Sequence, residues 1–383
     1  MNLPPSIETV SPTEALRRHR AGAVLVDVRE PHERASGHAS GALGIALAAV
    51  ESDPQAALPD RDVEVLLICE AGSRSLRAAR AMCAAGYSRV VSVEGGTSRW
   101  IAEGLPIEHP DPVSDFDADF HDRYSRHLRL PEVGEAGQHR LRAARVAMVG
   151  AGGLGSPAAF YLAAAGVGTL VLADDDVVDR SNLQRQILHA DSRIGMSKVE
   201  SARIALSALN PAIVIEAFAE RIDSSNVERL IANADVVIDG ADNFPARYLL
   251  NDACVKLGKP LVYGAVHRFE GQVSVFDAGR QRGIAPCYRC LFPEPPPAAA
   301  APNCAEAGVL GVLPGVVGLL QATEAIKLIL GIGDSLAGRL LQFDALAMRF
   351  RETRLAADPD CPLCAAGRQF PGYIDYQHFC AGA

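Results

Sequence analysis

Gly150, Gly152, Gly153 and Gly155 close an apolar run over 146–150 and open an alanine-rich stretch that reads as a helix over 155–165. A strand that ends in G-x-G-x-x-G and turns at once into a helix leaves few folds open. The glycines permit a tight turn and a close backbone approach, and the helix N-terminus offers N–H groups to phosphates. The same rhythm continues downstream. Apolar runs at 169–173, 213–218, 235–240 and 261–265 read as strands, and 198–209 and 243–257 as helices between them. Alternation of that length favours a parallel, doubly wound sheet. Less regular pieces follow: a strand at 272–276, a Pro/Ala run at 293–302 and an apolar helix over 313–330.

The glycine loop alone fits an NAD-dependent oxidoreductase with an appended domain. Asp174, Asp175 and Asp176 stand 19 to 21 residues after Gly155, where a carboxylate takes ribose hydroxyls. Further residues pull the reading away from a dinucleotide. Asn182 and Arg185 share one face if their segment is helical. Lys198 is one of four lysines against 33 arginines, so it stands out from the background. Asp242 lies in the 239–243 segment at the C-terminal end of a strand, the side where parallel sheets bind ligands. Cations and an extra carboxylate suit a triphosphate with Mg2+, because hydride transfer leaves no polyphosphate charge to neutralise. Arg180 and Arg193 read as solvated.

The preceding 108 residues form a separate α/β pattern: strands at 23–28, 63–69 and 90–93, helices at 12–20 and 73–85. Residues 109–122 are acidic and proline-bearing, which reads as a linker ahead of a domain over 123–383. In the first domain Cys69 follows a buried strand, and Arg74 stands at the start of the next helix. Such a strand-loop-helix aims N–H groups and a helix's positive end at one point, where a thiolate is stabilised. Phosphoryl transfer and sulfane-sulfur transfer both use that cradle. Cys83, inside a helix, reads as the structural thiol.

Nine cysteines in all and two Cys-x-x-Cys pairs, Cys287/Cys290 and Cys361/Cys364, suit metal and reactive thiols better than a disulfide framework. Together the pairs supply a closed tetrahedral Zn2+ site. Cys304 is either a mobile reactive thiol or an incidental loop cysteine, and Cys254 and Cys380 carry no assignment. The net charge of −9 gives no general attraction to nucleic acid or anionic lipid. The longest uncharged stretch, 307–323, is 17 residues, short of the roughly 18–20 a spanning helix needs. No signal-peptide profile opens the chain. The expectation is a cytoplasmic enzyme with no nucleic-acid or membrane partner.

Four residues between Cys69 and Arg74, with Asp27, Arg29, Gly37, His38 and Trp100 around them, make residues 8–108 resemble a rhodanese domain. Ala39 and Ser40 stand where that family has Ile-Pro. The later motifs, Arg123 to Arg126, the glycine loop, Ser181 to Gln186, Lys198, Asp242 and Cys287 to Cys290, resemble the E1-type activating enzymes. Among them, the bacterial adenylyltransferases of sulfur-carrier proteins resemble this chain most. His127 stands where that family has Gln. The resemblance implies ATP, with Asp174 on the ribose, Asn182, Arg185 and Lys198 on the phosphates, and Asp242 on Mg2+. It implies that Arg126 reaches a partner subunit's nucleotide in a homodimer, that Cys304 matches a second cysteine, and that the zinc is structural. The implied partners are a small ubiquitin-like sulfur carrier ending in Gly-Gly and a sulfur donor, thiosulfate or a cysteine desulfurase persulfide.

Overall fold

A computed structural model describes residues 7–34, 37–108, 117–295 and 308–381. The chain packs as two compact units, 1–135 and 136–383. In the first, a parallel sheet runs in the order Glu8–Val10, Val90–Val93, Val65–Ile68, Val24–Asp27, Leu43–Gly44. Its central strand, Val65–Ile68, is buried at every position, as expected of an unbroken apolar run covered on both faces. Helices Pro12–Arg20 and Ser73–Ala84 fall where the sequence periodicity places them. The short helices Ala118–Arg123 and Ser125–Leu128 belong to this unit, gathered by Phe120, Tyr124 and Leu128.

The second unit is built on an eight-stranded mixed sheet. Five parallel strands come first, in the order Val214–Phe218, Thr169–Ala173, Arg145–Val149, Val236–Asp239, Leu261–His267. Glu270–Phe276, Arg339–Asp344 and Arg349–Arg354 extend it antiparallel. The doubly wound half was legible from periodicity; the antiparallel extension takes in the less regular strand read at 272–276 and adds two strands beyond it. Strand order reverses between Arg145–Val149 and Val236–Asp239, so the loops after these two strands diverge and leave a crevice at the strands' carboxyl ends.

Two elements hold that crevice from beneath. Helix Phe244–Leu257 starts on Asn243, whose side chain accepts from the Ala246 N–H at 3.0 Å, and ends at Gly258 with φ +65°. From it the buried Arg247 donates to Asp239 Oδ2 at 3.0 Å and to the Ala241 carbonyl at 3.0 Å. Helix Leu313–Leu330 is long and apolar enough to cross a membrane by length and composition. It extends past the 17-residue uncharged stretch by including Glu324 and Lys327. Its packing is that of a core helix: Gln321 is fully buried and donates to the Asp239 and Val262 carbonyls, at 2.7 and 3.1 Å.

Candidate functional site

Gly150 adopts φ +95°, and a Cβ there would lie 2.4 Å from the Gly240 carbonyl oxygen. A Cβ on Gly155 would lie 2.0 Å from the Gly150 carbonyl. These two glycines let the two diverging loops and the helix touch. Gly152 is different: a Cβ there meets only the Gln186 amide, at 3.6 Å, an ordinary contact. Its bareness therefore serves something outside the chain's own packing. Gly155→Ala is expected to destabilise the unit by more than about 2 kcal/mol through overpacking. Gly152→Ala is expected to melt within about 2 °C of the parent while weakening nucleotide binding about tenfold. Thermal melts and ATP titration of the two variants check this.

Asp174 follows strand Thr169–Ala173 and accepts from the Ala151 N–H at 2.8 Å and the Asp176 N–H at 2.9 Å. One carboxylate thus braces the first turn of the glycine loop. Burial pushes its carboxyl above the usual range, against the pull of Lys198 and the two N–H bonds. Lys198, at the first turn of helix Lys198–Leu209, is 5% exposed, and its Nζ donates to Asp176 Oδ2 at 2.7 Å. The carboxylate oxygens of Asp174, Asp175 and Asp176 lie within 4.8 Å of one another. Asp174 and Asp176 are already engaged by N–H groups and by Lys198, so the cluster is accounted for without an ion.

Asn182 and Arg185 do not share a helix. Only Arg180–Asn182 forms a 3-10 turn, because Asp179 and Asn182 cap each other's backbone N–H groups and close it early. Arg185 follows, half-buried, donating to the Ser181 carbonyl at 3.1 Å. Arg193 is not simply solvated: it donates to the Ser201 and Leu188 carbonyls at 2.6 and 3.2 Å. Arg180 is exposed and pairs with Asp191. Asp242 is exposed just past strand Val236–Asp239, accepting from the Asn243 amide at 3.3 Å.

Sequence reasoning missed His189. Its Nε2 lies 3.0 Å from the Ala151 carbonyl and its Nδ1 3.0 Å from Ser201 Oγ. A carbonyl can only accept, so the proton sits on Nε2 and the serine hydroxyl donates to Nδ1. Burial holds the ring below the usual histidine range, which keeps it neutral. A neutral histidine thus ties helix Lys198–Leu209 to the glycine loop.

In the first unit, Cys69 is 1% exposed at the end of the central strand. Its Sγ accepts from the Gly72 N–H at 3.1 Å and lies 3.6 Å from Ser75 Oγ. The loop is pinned where the Thr97 and Ser98 N–H groups donate to the Cys69 and Glu70 carbonyls, at 2.7 and 3.1 Å. Burial reverses one expectation: Cys69 is the enclosed thiol and Cys83 is only half-buried. Arg74 is not a free rim charge. It forms a two-pronged pair with Glu33, at 2.7 and 2.8 Å. Beneath it, the buried Arg29 grips Asp27 at 2.8 Å and reaches Glu70 at 3.2 Å.

Cys287, Cys290, Cys361 and Cys364 converge, with all four sulfurs within 4.8 Å of one another. The contacts are 3.9 Å for Cys287/Cys290, 3.7 Å for Cys287/Cys361 and 3.4 Å for Cys290/Cys364. Zn–S bonds of about 2.3 Å in a tetrahedron put sulfurs about 3.8 Å apart, so the set has the size of a zinc site. The Asp358 N–H donates to Cys290 Sγ at 3.4 Å, the kind of outer contact that steadies thiolate ligands. Cys304 lies outside the described residues. Arg126 is exposed on helix Ser125–Leu128 of the first unit, and Cys254 is fully enclosed.

Residues 124–363 match the ThiF family and residues 11–103 match the rhodanese-like domain. The chain is 53% identical over 261 residues to the SAMP-activating enzyme E1 of Haloferax volcanii, covering 68% of this chain and 95% of that protein. It is 51% identical over 260 residues to the sulfur carrier protein adenylyltransferase of Thermus thermophilus, covering 68% and 96%. A third relative is the probable adenylyltransferase/sulfurtransferase MoeZ of Mycobacterium tuberculosis, 50% identical over 258 residues, covering 67% of this chain and 64% of that protein. The oxidoreductase alternative gains no support from these relatives. The matched ranges and the identity to these relatives settle the family: the chain belongs to the ThiF family and carries a rhodanese-like domain ahead of the family's fold.

Proposed function

We propose that the chain adenylates the C-terminal glycine of a small ubiquitin-like sulfur carrier and then converts the carboxylate to a thiocarboxylate. The observation that carries this is one chain holding both a phosphate cradle at Gly150–Gly155 and a thiolate cradle at Cys69. The carrier's carboxylate attacks the α-phosphorus of ATP, and pyrophosphate leaves. The mixed anhydride has AMP as a good leaving group, which a bare carboxylate lacks. Lys198 and Arg185 face the developing negative charge, and Asp174 orients the ribose. Arg126 supplies a further cation to the partner subunit's nucleotide in a homodimer. Asp242 would hold Mg2+, which would supply positive charge against the phosphates.

Sulfur enters at Cys69, whose persulfide terminal sulfur attacks the acyl carbon and expels AMP. The acyl-disulfide that results is cleaved by a thiol, either Cys304 or an external reductant. That thiol forms a new disulfide with the Cys69 sulfur and releases the thiocarboxylate. Covalent connection of the two units raises the effective concentration of persulfide at the adenylate. Sulfur carriers are the substrates named for the Thermus thermophilus relative. The reaction uses ATP and a reductant, which suits the cytoplasm.

The full chain is mixed with Mg-ATP, a sulfane-sulfur donor, a reductant and candidate carriers ending in Gly-Gly, and each carrier is weighed intact. Exchange of one carboxylate oxygen for sulfur is the expected result. A carrier that gains only AMP would leave adenylation standing and overturn the sulfur-transfer half. No change in any carrier, with no exchange of labelled pyrophosphate into ATP, would overturn the reading.

The four cysteines would hold one structural Zn2+ per chain, joining residues 361–364 to the core across 70 intervening positions. Structural zinc in finger peptides contributes about 10–16 kcal/mol. A third of that, at about 2–4 °C per kcal/mol for a domain of this size, lowers the melting point by roughly 7–20 °C. Elemental analysis should find one zinc, and Cys361→Ser or a strong chelator should produce the drop. A zinc-free preparation with the parent's melting point would sink the assignment.

A further inference from the structure

The mouth of the Cys69 loop is a cleft of about 750 Å³ whose lining includes Glu30, Glu33, Glu70, Ser73 and Arg74, with Arg129 of the same unit at its edge. Three carboxylates stand there against two guanidinium groups. Arg74 is the cation nearest the reacting thiol in sequence, and Glu33 engages both its terminal nitrogens. Glu33 is itself fixed: it is 9% exposed and accepts from the Glu30 N–H at 3.0 Å. Arg129 lies 3.6 Å away. Burial opposes its charge, yet the Arg74 fork, the Glu30 N–H and the charges of Arg74 and Arg129 hold its carboxyl at about 2. It stays ionised throughout the physiological range. Arg29 is no substitute cation, since Asp27 and Glu70 occupy it.

That arrangement bears on which sulfur donor the cleft accepts. With thiosulfate, the Cys69 thiolate attacks the outer sulfur and the S–S bond breaks. Sulfite leaves with the electron pair, and Cys69 becomes a persulfide. Donor and leaving group are both dianions, so the step needs a free cation close by. With a persulfide donor, the thiolate attacks the terminal sulfur and a singly charged thiolate leaves. We propose that Glu33 is a donor-selecting residue: by occupying Arg74 it turns away dianionic thiosulfate and leaves Cys69 to be charged by persulfide donors of the R–S–S– class. This rests on the sulfur-transfer reading above and names its donor. Glu70, half exposed on the loop itself, acts in the same direction through its charge.

The test uses the full chain with two probes, thiosulfate and a small-thiol persulfide. The rate at which Cys69 gains one sulfur atom is followed by peptide mass. In the parent the persulfide should charge Cys69 faster. Glu33→Gln should shift the ratio of the two rates toward thiosulfate by about tenfold, as removing one negative charge a few ångströms from a dianion requires. Adding Arg74→Ala should cancel the shift, because the freed guanidinium is its source. Glu70→Gln, at a half-exposed position where the amide can still accept from Arg29 and bond the Ser98 hydroxyl, should shift the ratio the same way by a smaller factor. An unchanged ratio in both single variants, or a shift that survives Arg74→Ala, would overturn the proposal. If neither probe charges the parent's Cys69 while the carrier still gains AMP, sulfur transfer by this domain fails and takes the proposal with it.

Discussion

Cys69→Ala is expected to abolish thiocarboxylate formation while leaving pyrophosphate exchange within about twofold of the parent, the split that separates sulfur transfer from activation. The anhydride forms from carboxylate and ATP, and neither reacts with a thiol at that stage. The second half has no such freedom. Without a sulfur on Cys69 nothing holds the transferable atom, and the remaining described cysteines are poor stand-ins. Burial pushes Cys83 and Cys254 above the usual thiol range, so at neutral pH they present little thiolate. The variant should fold. Deleting one buried sulfur costs a few kcal/mol at most, and the Ser75, Ser92 and Gly72 bonds beneath the loop do not pass through it. Intact mass of the carrier is the readout. Carrier that accumulates as adenylate, with no sulfur-bearing product, is the expected outcome. Persistent thiocarboxylate would mean that sulfur reaches the adenylate without this domain.

How much of this was legible before the fold was seen depends on sequence distance. Elements whose apolar pattern is local were readable to within a residue or two, as with Pro12–Arg20, Thr169–Ala173, Lys198–Leu209 and Leu313–Leu330. The same holds for the cysteine pairs, since Cys-x-x-Cys is a local chelate. Strand Arg349–Arg354 was not legible. Every residue in it is exposed, so it has no apolar alternation, and it exists because it pairs with Arg339–Asp344. The site partners that were missed share that property. Glu33 meets Arg74 across 41 residues, and His189 meets Ala151 across 38. No spacing rule links such pairs. The shared helical face of Asn182 and Arg185, conditional on a helix there, gives way for the opposite reason: their i,i+3 spacing is local, but the Asp179–Asn182 cap ends the turn before it can become a helix.

Lys198→Met is expected to lower pyrophosphate exchange by about 10²–10³, the usual loss when one charge aimed at a developing anion is removed. Methionine keeps most of the buried stem and deletes only the ammonium, so the loss is electrostatic. Folding tolerates it because the abandoned partner, Asp176, is 61% exposed in its side chain and returns to water. A second consequence distinguishes this from a merely structural defect. Burial raises the Asp174 carboxyl and Lys198 pulls it back down. Without the ammonium, Asp174 moves further up, and less of it is ionised at a given pH. Its ionised form is the one that accepts the Ala151 and Asp176 N–H bonds and would accept ribose hydroxyls. Residual exchange in Lys198→Met should therefore climb with pH beyond the point where the parent has levelled off. Exchange rates measured from about pH 4, the ordinary aspartate value, up through neutrality at saturating ATP, alongside a melting curve, make the comparison. A uniform loss with an unshifted profile would leave Lys198 on the phosphates but remove the link to Asp174. Exchange within about threefold of the parent would take Lys198 off the phosphates altogether.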